Sequence, residues 1–137
     1  MRIEDKFYET AIKAAEIAKN CFNEDPAEAI KRLDFATKYV KHSKQSLPEE
    51  YQKLHYTLLE NAAKKNFDDA RNEMQNNKPR ETSKCLSSAL KFANEINLSL
   101  PQDDLKDIAN YLCRNGMHYN YEENLKKYVV KHGLENS

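Results

Sequence analysis

The chain has 137 residues, 39% apolar and 32% charged, with 22 Lys plus Arg against 22 Asp plus Glu. That length fits one domain with a core of its own, needing no metal or disulfide to fold, and the balanced charge argues against a generic polyanion binder, which carries a basic excess. No apolar run nears the roughly 20 residues that span a bilayer, the N-terminus MRIEDKFYET has no signal-peptide core, and two glycines with no Trp argue against sheets and hairpins.

Seven helical segments are predicted in chain order. The first covers 4–23, with Phe7, Ala11, Ala14, Ala18 and Cys21 on one face at steps of three and four. It ends at NEDP, where Asp25 can cap the next helix and Pro26 can occupy its first turn. The second buries Ala29, Leu33, Ala36 and Val40, with Ile30 and Tyr39 flanking, and stops in HSKQSLP. Pro48 then opens the third, with Glu49 and Glu50 where the helix dipole favours carboxylates. The third carries Tyr51, Leu54, Leu58 and Ala62, and the polar step KKN separates it from a short fourth, FDDARNEMQNN. Pro79 starts the fifth, which holds Leu86, Ala89, Leu90, Ala93 and Ile96. SLPQDD opens the sixth, with Leu105, Ile108 and Leu112 inward and Gly116 as its C-terminal cap. The seventh covers 121–132, with Leu125, Tyr128 and Val129 as its face.

The sequence also repeats itself. A shift of 53 residues lays Pro26 on Pro79, Leu33 on Leu86, Ala36 on Ala89, Tyr39 on Phe92, and Ser46-Leu47-Pro48 on Ser99-Leu100-Pro101. One extra residue then lays Leu54 on Ile108, Leu58 on Leu112, Asn61 on Asn115 and NFDD on NYEE. Helix periodicity can align apolar residues by chance, but it does not also align two Pro stops and an Asn-aromatic-acid-acid start. The matches predict a single all-α domain over 1–137: an N-terminal helix in 1–24 and a three-helix unit used twice, 26–77 and 79–132. Such units bury their apolar faces by stacking on a neighbour.

LLENAAKKNFDDARNEM resembles the turn and second helix of a tetratricopeptide unit, with Phe67, Ala70 and Met74 in the aromatic, small and larger apolar places. DPAEAIKRLDFA gives a similar spacing through Ala29, Leu33 and Ala36. The family's Trp-Leu-Gly pattern is missing, the period is longer than its roughly 34 residues, and Asn124 stands where the third match would have Ala. The resemblance implies an antiparallel, tetratricopeptide-like (TPR-like) array that holds a protein or peptide segment in a concave groove.

Chemistry-bearing residues are sparse. His42, His55, His118 and His132 form neither His-x3-His nor His-Glu-x2-His, so no helical zinc face is expected, and no cofactor. Cys21, Cys85 and Cys113 are odd in number and far apart, which fits a reducing cytoplasm. Cys85 and Cys113, on or beside apolar stripes, read as small buried thiols. Lys38, Lys41 and Lys44 run along a wet face with Tyr39 and His42, a pattern that suits phosphate contact and equally a solvated helix end. CRNGMHY resembles the Arg-polar-x-His motif of HEPN nucleases, which implies phosphate binding by Arg114 and acid/base chemistry by His118. The spacing here is shorter than in that family, and Gly116 falls between the two.

These features point to a non-enzymatic, cytoplasmic helical scaffold that binds a protein or peptide as an adaptor, chaperone-like holder or inhibitor. The third and sixth helices would line its groove with Tyr56, Asn61, Tyr111 and Asn115, because Asn can grip a peptide backbone through donor and acceptor together. The alternative is an RNA-binding or HEPN-like ribonuclease-type protein using Lys38, Lys41, Lys44, Arg114 and His118. Self-association is a third reading.

Overall fold

The computed structural model describes residues 2–117 and 120–133. Among them are six α-helices, one 3-10 turn and no strand, in keeping with the all-helical expectation. The helices are α1 (Ile3–Cys21), α2 (Pro26–Val40), α3 (Glu49–Gln75), α4 (Pro79–Ile96), α5 (Gln102–Arg114) and α6 (Glu122–His132), with the 3-10 turn over Lys41–Ser43. The chain forms two compact units that divide between Leu58 and Leu59, inside α3.

The first unit holds α1, α2 and the start of α3. Ala11, Ala14, Ala15 and Ala18 are buried on α1, and side chains this small let it approach α2 closely. On α2 they meet a face where Ala29, Leu33 and Ala36 are fully buried. The Asp25 carboxylate accepts from the Glu28 backbone N–H at 3.1 Å, and Pro26 fills the first turn, so α2 begins where its sequence signals place it. At its far end the Ser43 hydroxyl donates to the Val40 carbonyl at 2.6 Å and accepts from Gln45 N–H at 3.2 Å. Lys44 then reverses the chain in the left-handed region, φ 61°. Leu47 is buried, and its carbonyl accepts from the Gln52 side chain at 2.6 Å.

The second unit holds the rest of α3 with α4, α5 and α6. Its core joins Phe67 and Ala70 to Leu86, Leu90, Ile108, Leu112 and Tyr128. A run of hydrogen bonds fastens the α6 segment to α4. Ser83 donates to the Met117 carbonyl at 3.3 Å, Ser87 to the Asn120 carbonyl at 2.9 Å, and Asn94 to the Asn124 carbonyl at 2.9 Å. The Asn124 amide returns a bond to the Ser87 carbonyl at 3.2 Å, and Lys131 donates to the Asn94 carbonyl. Helix ends in this unit use left-handed residues: Asn77 after α3, Asn97 after α4 and Gly116 after α5. At the last, Met117 N–H reaches back to the Leu112 carbonyl at 2.9 Å and Gly116 N–H to the Cys113 carbonyl at 3.1 Å, a Schellman cap.

Two expectations are corrected. The step KKN does not end a helix: α3 runs unbroken from Glu49 to Gln75. Ala62, Ala63, Lys64 and Lys65 are all good helix formers, and no Gly or Pro interrupts them. At the position that the 54-residue shift lays on Ala62, Gly116 takes φ 69° and the helix stops, so α5 and α6 are separate. Cys113 is exposed rather than buried, because its position on α5 falls outside the stripe of Leu105, Ile108 and Leu112.

Candidate functional site

The buried stripe of α2 leaves a second stripe on the outside of the helix. Phe35, Tyr39 and His42 follow one another at helical steps, off the face of Leu33 and Ala36. Phe35 and Tyr39 stack with ring centroids 4.3 Å apart and planes 30° from parallel. Phe7 of α1 joins them, 5.8 Å from Tyr39 and 5.3 Å from His42, and Tyr39 lies 6.5 Å from His42. The cluster is only partly covered. Phe35 is 42% exposed, and Ile3, one turn before Phe7, is 70% exposed. Large apolar side chains left in water are costly, and contiguous ones mark contact surfaces.

Charge surrounds these rings. Lys31, Arg32 and Lys38 lie one turn from Phe35 along α2, and Lys41 follows at the helix end. Of the two carboxylates of α2, Glu28 pairs with Arg32 of this rim at 2.9 Å, so Lys31, Lys38 and Lys41 carry its excess charge, and Asp34 bonds the His55 ring at 2.7 Å. The face is therefore aromatic with a cationic rim.

Among the described residues of the second unit, two concavities are notable. One, about 350 Å³, lies between α5 and α6 over Leu105, Ala109, Leu125 and Val129, edged by Gln102, Lys106 and Asn110. The other, about 580 Å³, is polar and lined by Asp68, Asp104 and Asp107 around Arg71. Arg71 bridges Asp68 at 2.5 Å and Asp104 at 2.8 Å, and its guanidinium lies over the Phe67 ring. The bond to Asp68 holds the guanidinium above its usual range. This cleft ties α3 to α5 through an ion-pair network. No group of three or more metal-ligating side chains converges among the described residues.

The residues singled out from sequence fall on different elements of the two units. Tyr56 stands on α3, 47% exposed, and Asn61 is exposed in the middle of that helix, not at an end. Tyr111 and Asn115 use their polar groups internally. The Tyr111 hydroxyl donates to Asn77 Oδ1 at 2.9 Å, and the Asn115 amide donates to the Tyr111 carbonyl at 2.8 Å while Asn115 closes α5. Lys38, Lys41 and Lys44 are exposed, and Lys44 sits 4.0 Å from Glu4. Arg114 is the exposed last residue of α5, beyond which Gly116 turns the chain, and His118 lies outside the described residues. The structure thus brings Lys38 and Lys41 together with Tyr39 and His42. It adds Phe35, whose step to Tyr39 is readable only as a second stripe outside the core pattern of α2, and Phe7, which the pattern of α1 places with its buried face. Among the described residues no helix is long and apolar enough to cross a membrane. No family model, curated protein or solved structure matches this chain.

Proposed function

We propose that this protein is a non-enzymatic, TPR-like helical scaffold that binds a segment of another protein on the outer face of α2. It would serve as an adaptor, chaperone-like holder or inhibitor. The observation that carries this reading is the stacked, part-exposed cluster of Phe35, Tyr39, Phe7 and His42. Aromatic side chains that remain partly wet supply rigid, amphipathic contact area at little entropic cost, and interfaces are enriched in them.

A duplicated building unit is supported by structural features that recur at matched positions. Pro26 and Pro79 each open a helix. Leu33 and Leu86 are fully buried, and so are Ala36 and Ala89. Lys44 and Asn97, 53 residues apart, are both left-handed, and Leu47 and Leu100 are both buried just before the next helix. A cytoplasmic setting is supported by Cys21, Cys85 and Cys113, all unpaired thiols.

The test is a pull-down from native lysate with nuclease treatment, comparing the wild-type chain with Phe35→Ala. The expected result is a stoichiometric protein partner that survives nuclease and is lost by the variant, whose helicity is unchanged. Retention by Phe35→Ala overturns the placement. Enrichment of RNA, with proteins lost on nuclease treatment, overturns the protein-binding reading in favour of an RNA-binding one.

A further inference from the structure

We infer that the segment held on α2 is acidic, with an aromatic or aliphatic anchor that covers Phe35; this rests on the protein-binding reading above. The local charge carries it. Lys31 and Lys38 flank Phe35 at one helical turn on either side, and Lys41 closes the helix. Glu28 and Asp34 are the only carboxylates of α2, and both are engaged within the unit, on Arg32 and His55. Lys31, Lys38 and Lys41 form no ion pair with any described residue. An apolar contact in a cationic rim selects a ligand with the converse arrangement. Carboxylates beside an apolar anchor match both parts, whereas a neutral or basic segment would bury the ring and meet repulsion around it.

The arrangement of the rings favours a peptide over single-stranded nucleic acid. Nucleic-acid platforms present separate ring faces to successive bases. Here Tyr39 already covers one face of Phe35, and Phe7 and His42 pack against Tyr39 in turn. Phe35 itself stays 42% exposed, enough for one anchoring side chain. The chain's zero net charge also denies a polyanion the long-range attraction that such proteins use.

The experiment is a random-peptide display selection on the full chain, followed by fluorescence anisotropy of the selected peptides. Wild type is compared with Phe35→Ala, with Lys31→Glu/Lys38→Glu, and with Lys31→Gln/Lys38→Gln as a milder variant in case the first misfolds; circular dichroism checks each. Polyuridylate is measured alongside. The expected peptides carry an Asp/Glu excess around one aromatic or aliphatic residue. Phe35→Ala abolishes their binding, and the charge-reversed variant weakens it on the order of tenfold or more, with smaller loss for the Gln variant. Peptides that need Phe35 but show no acidic excess and ignore both lysine variants overturn this inference and leave the protein-binding reading standing. Selection of no Phe35-dependent peptide, or Phe35-dependent binding of polyuridylate, overturns both.

Discussion

The backbone N–H of Leu100 donates to the hydroxyl of Tyr128 at 2.8 Å, both groups being buried. Leu100 sits in the turn between α4 and α5, and Tyr128 lies in the middle of α6. The tyrosine therefore packs in the core with its ring and satisfies a loop donor with its oxygen. Tyr128→Phe keeps the ring, including its stack on His132 at 4.0 Å between centroids, and removes the acceptor. A buried donor left without a partner costs about 1–3 kcal/mol. Chemical denaturation should show that loss with an unchanged denaturant slope. An unaltered midpoint would mean that the Leu100 N–H finds another partner.

Lys44 is a long side chain in a conformation that suits Gly or Asn, at φ 61°. Left-handed geometry costs a residue with a Cβ about 1–2 kcal/mol, and Gly returns roughly 0.5–1 kcal/mol of that as chain entropy. Lys44→Gly should therefore stabilise the protein by roughly 0.5–1 kcal/mol. Its loose pair with Glu4, at 4.0 Å between exposed groups, is too weak to reverse the sign. The converse change, Asn97→Lys, should destabilise, because Asn tolerates the φ of 54° at the matching turn. Thermal melts of both variants check the pair; destabilisation by Lys44→Gly would contradict the strain argument.

Gly116 carries the stop that separates α5 from α6. A Cβ added there meets nothing within 4 Å, so Gly116→Ala pays for its φ of 69° and recovers part of that as chain entropy, a net loss of roughly 0.5–1 kcal/mol. In α3 the matching stretch has no such residue, and Ala62→Gly should cost about 1 kcal/mol without breaking the helix. Melts by circular dichroism give both values. A loss of helical signal in Ala62→Gly would show that α3 is near a break already.

These positions explain what was legible in the sequence. The starts of α2 and α4 were, because Asp25, Pro26 and Pro79 act locally through capping and a fixed φ. The stop at Gly116 was legible for the same reason. The polar step KKN misled, because polarity does not end a helix when every residue in the step tolerates one. The attachment of α6 was invisible: Ser83, Ser87, Asn94 and Asn124 look like surface residues until partners dozens of residues away accept and donate their bonds. Half of the α2 face was legible, in Tyr39, His42 and the lysines. Phe7 was legible only as part of the buried face of α1, not as a partner of Tyr39 and His42, and Phe35 was not legible, since it lies outside the periodic stripe of α2.

Alkaline pH should weaken the fold. Burial raises the Tyr121 hydroxyl well above its usual range, and its bond to the Cys113 thiol adds to the shift. Burial raises Tyr51 as well, helped by Glu50 and Glu16. A group with a raised folded pKa holds its proton more tightly when folded, so the unfolded chain ionises first. Stability is then fully present below the ordinary tyrosine value of 10.0 and is lost as pH rises through and above it. Unfolding free energies measured from pH 8 upward should fall most steeply from about pH 10, and Tyr121→Phe should flatten that slope. An unchanged slope would assign the alkaline loss to other groups.

The thiols should differ in reactivity. The thiolate is the nucleophile, so alkylation follows both access and ionisation. Cys113 is exposed on α5. Cys85 is half-buried on α4, and burial pushes its thiol up, with Asp69, Glu73 and Glu81 opposing the negative charge further. Timed iodoacetamide labelling of the folded chain, read by peptide mass spectrometry at pH 8, should modify Cys113 well ahead of Cys85. In denaturant the two rates should converge, because the unfolded chain strips away both burial and the local carboxylates. Equal rates in the folded protein would mean that α4 opens as readily as α5 exposes its thiol, which its buried Leu86, Ala89 and Leu90 argue against.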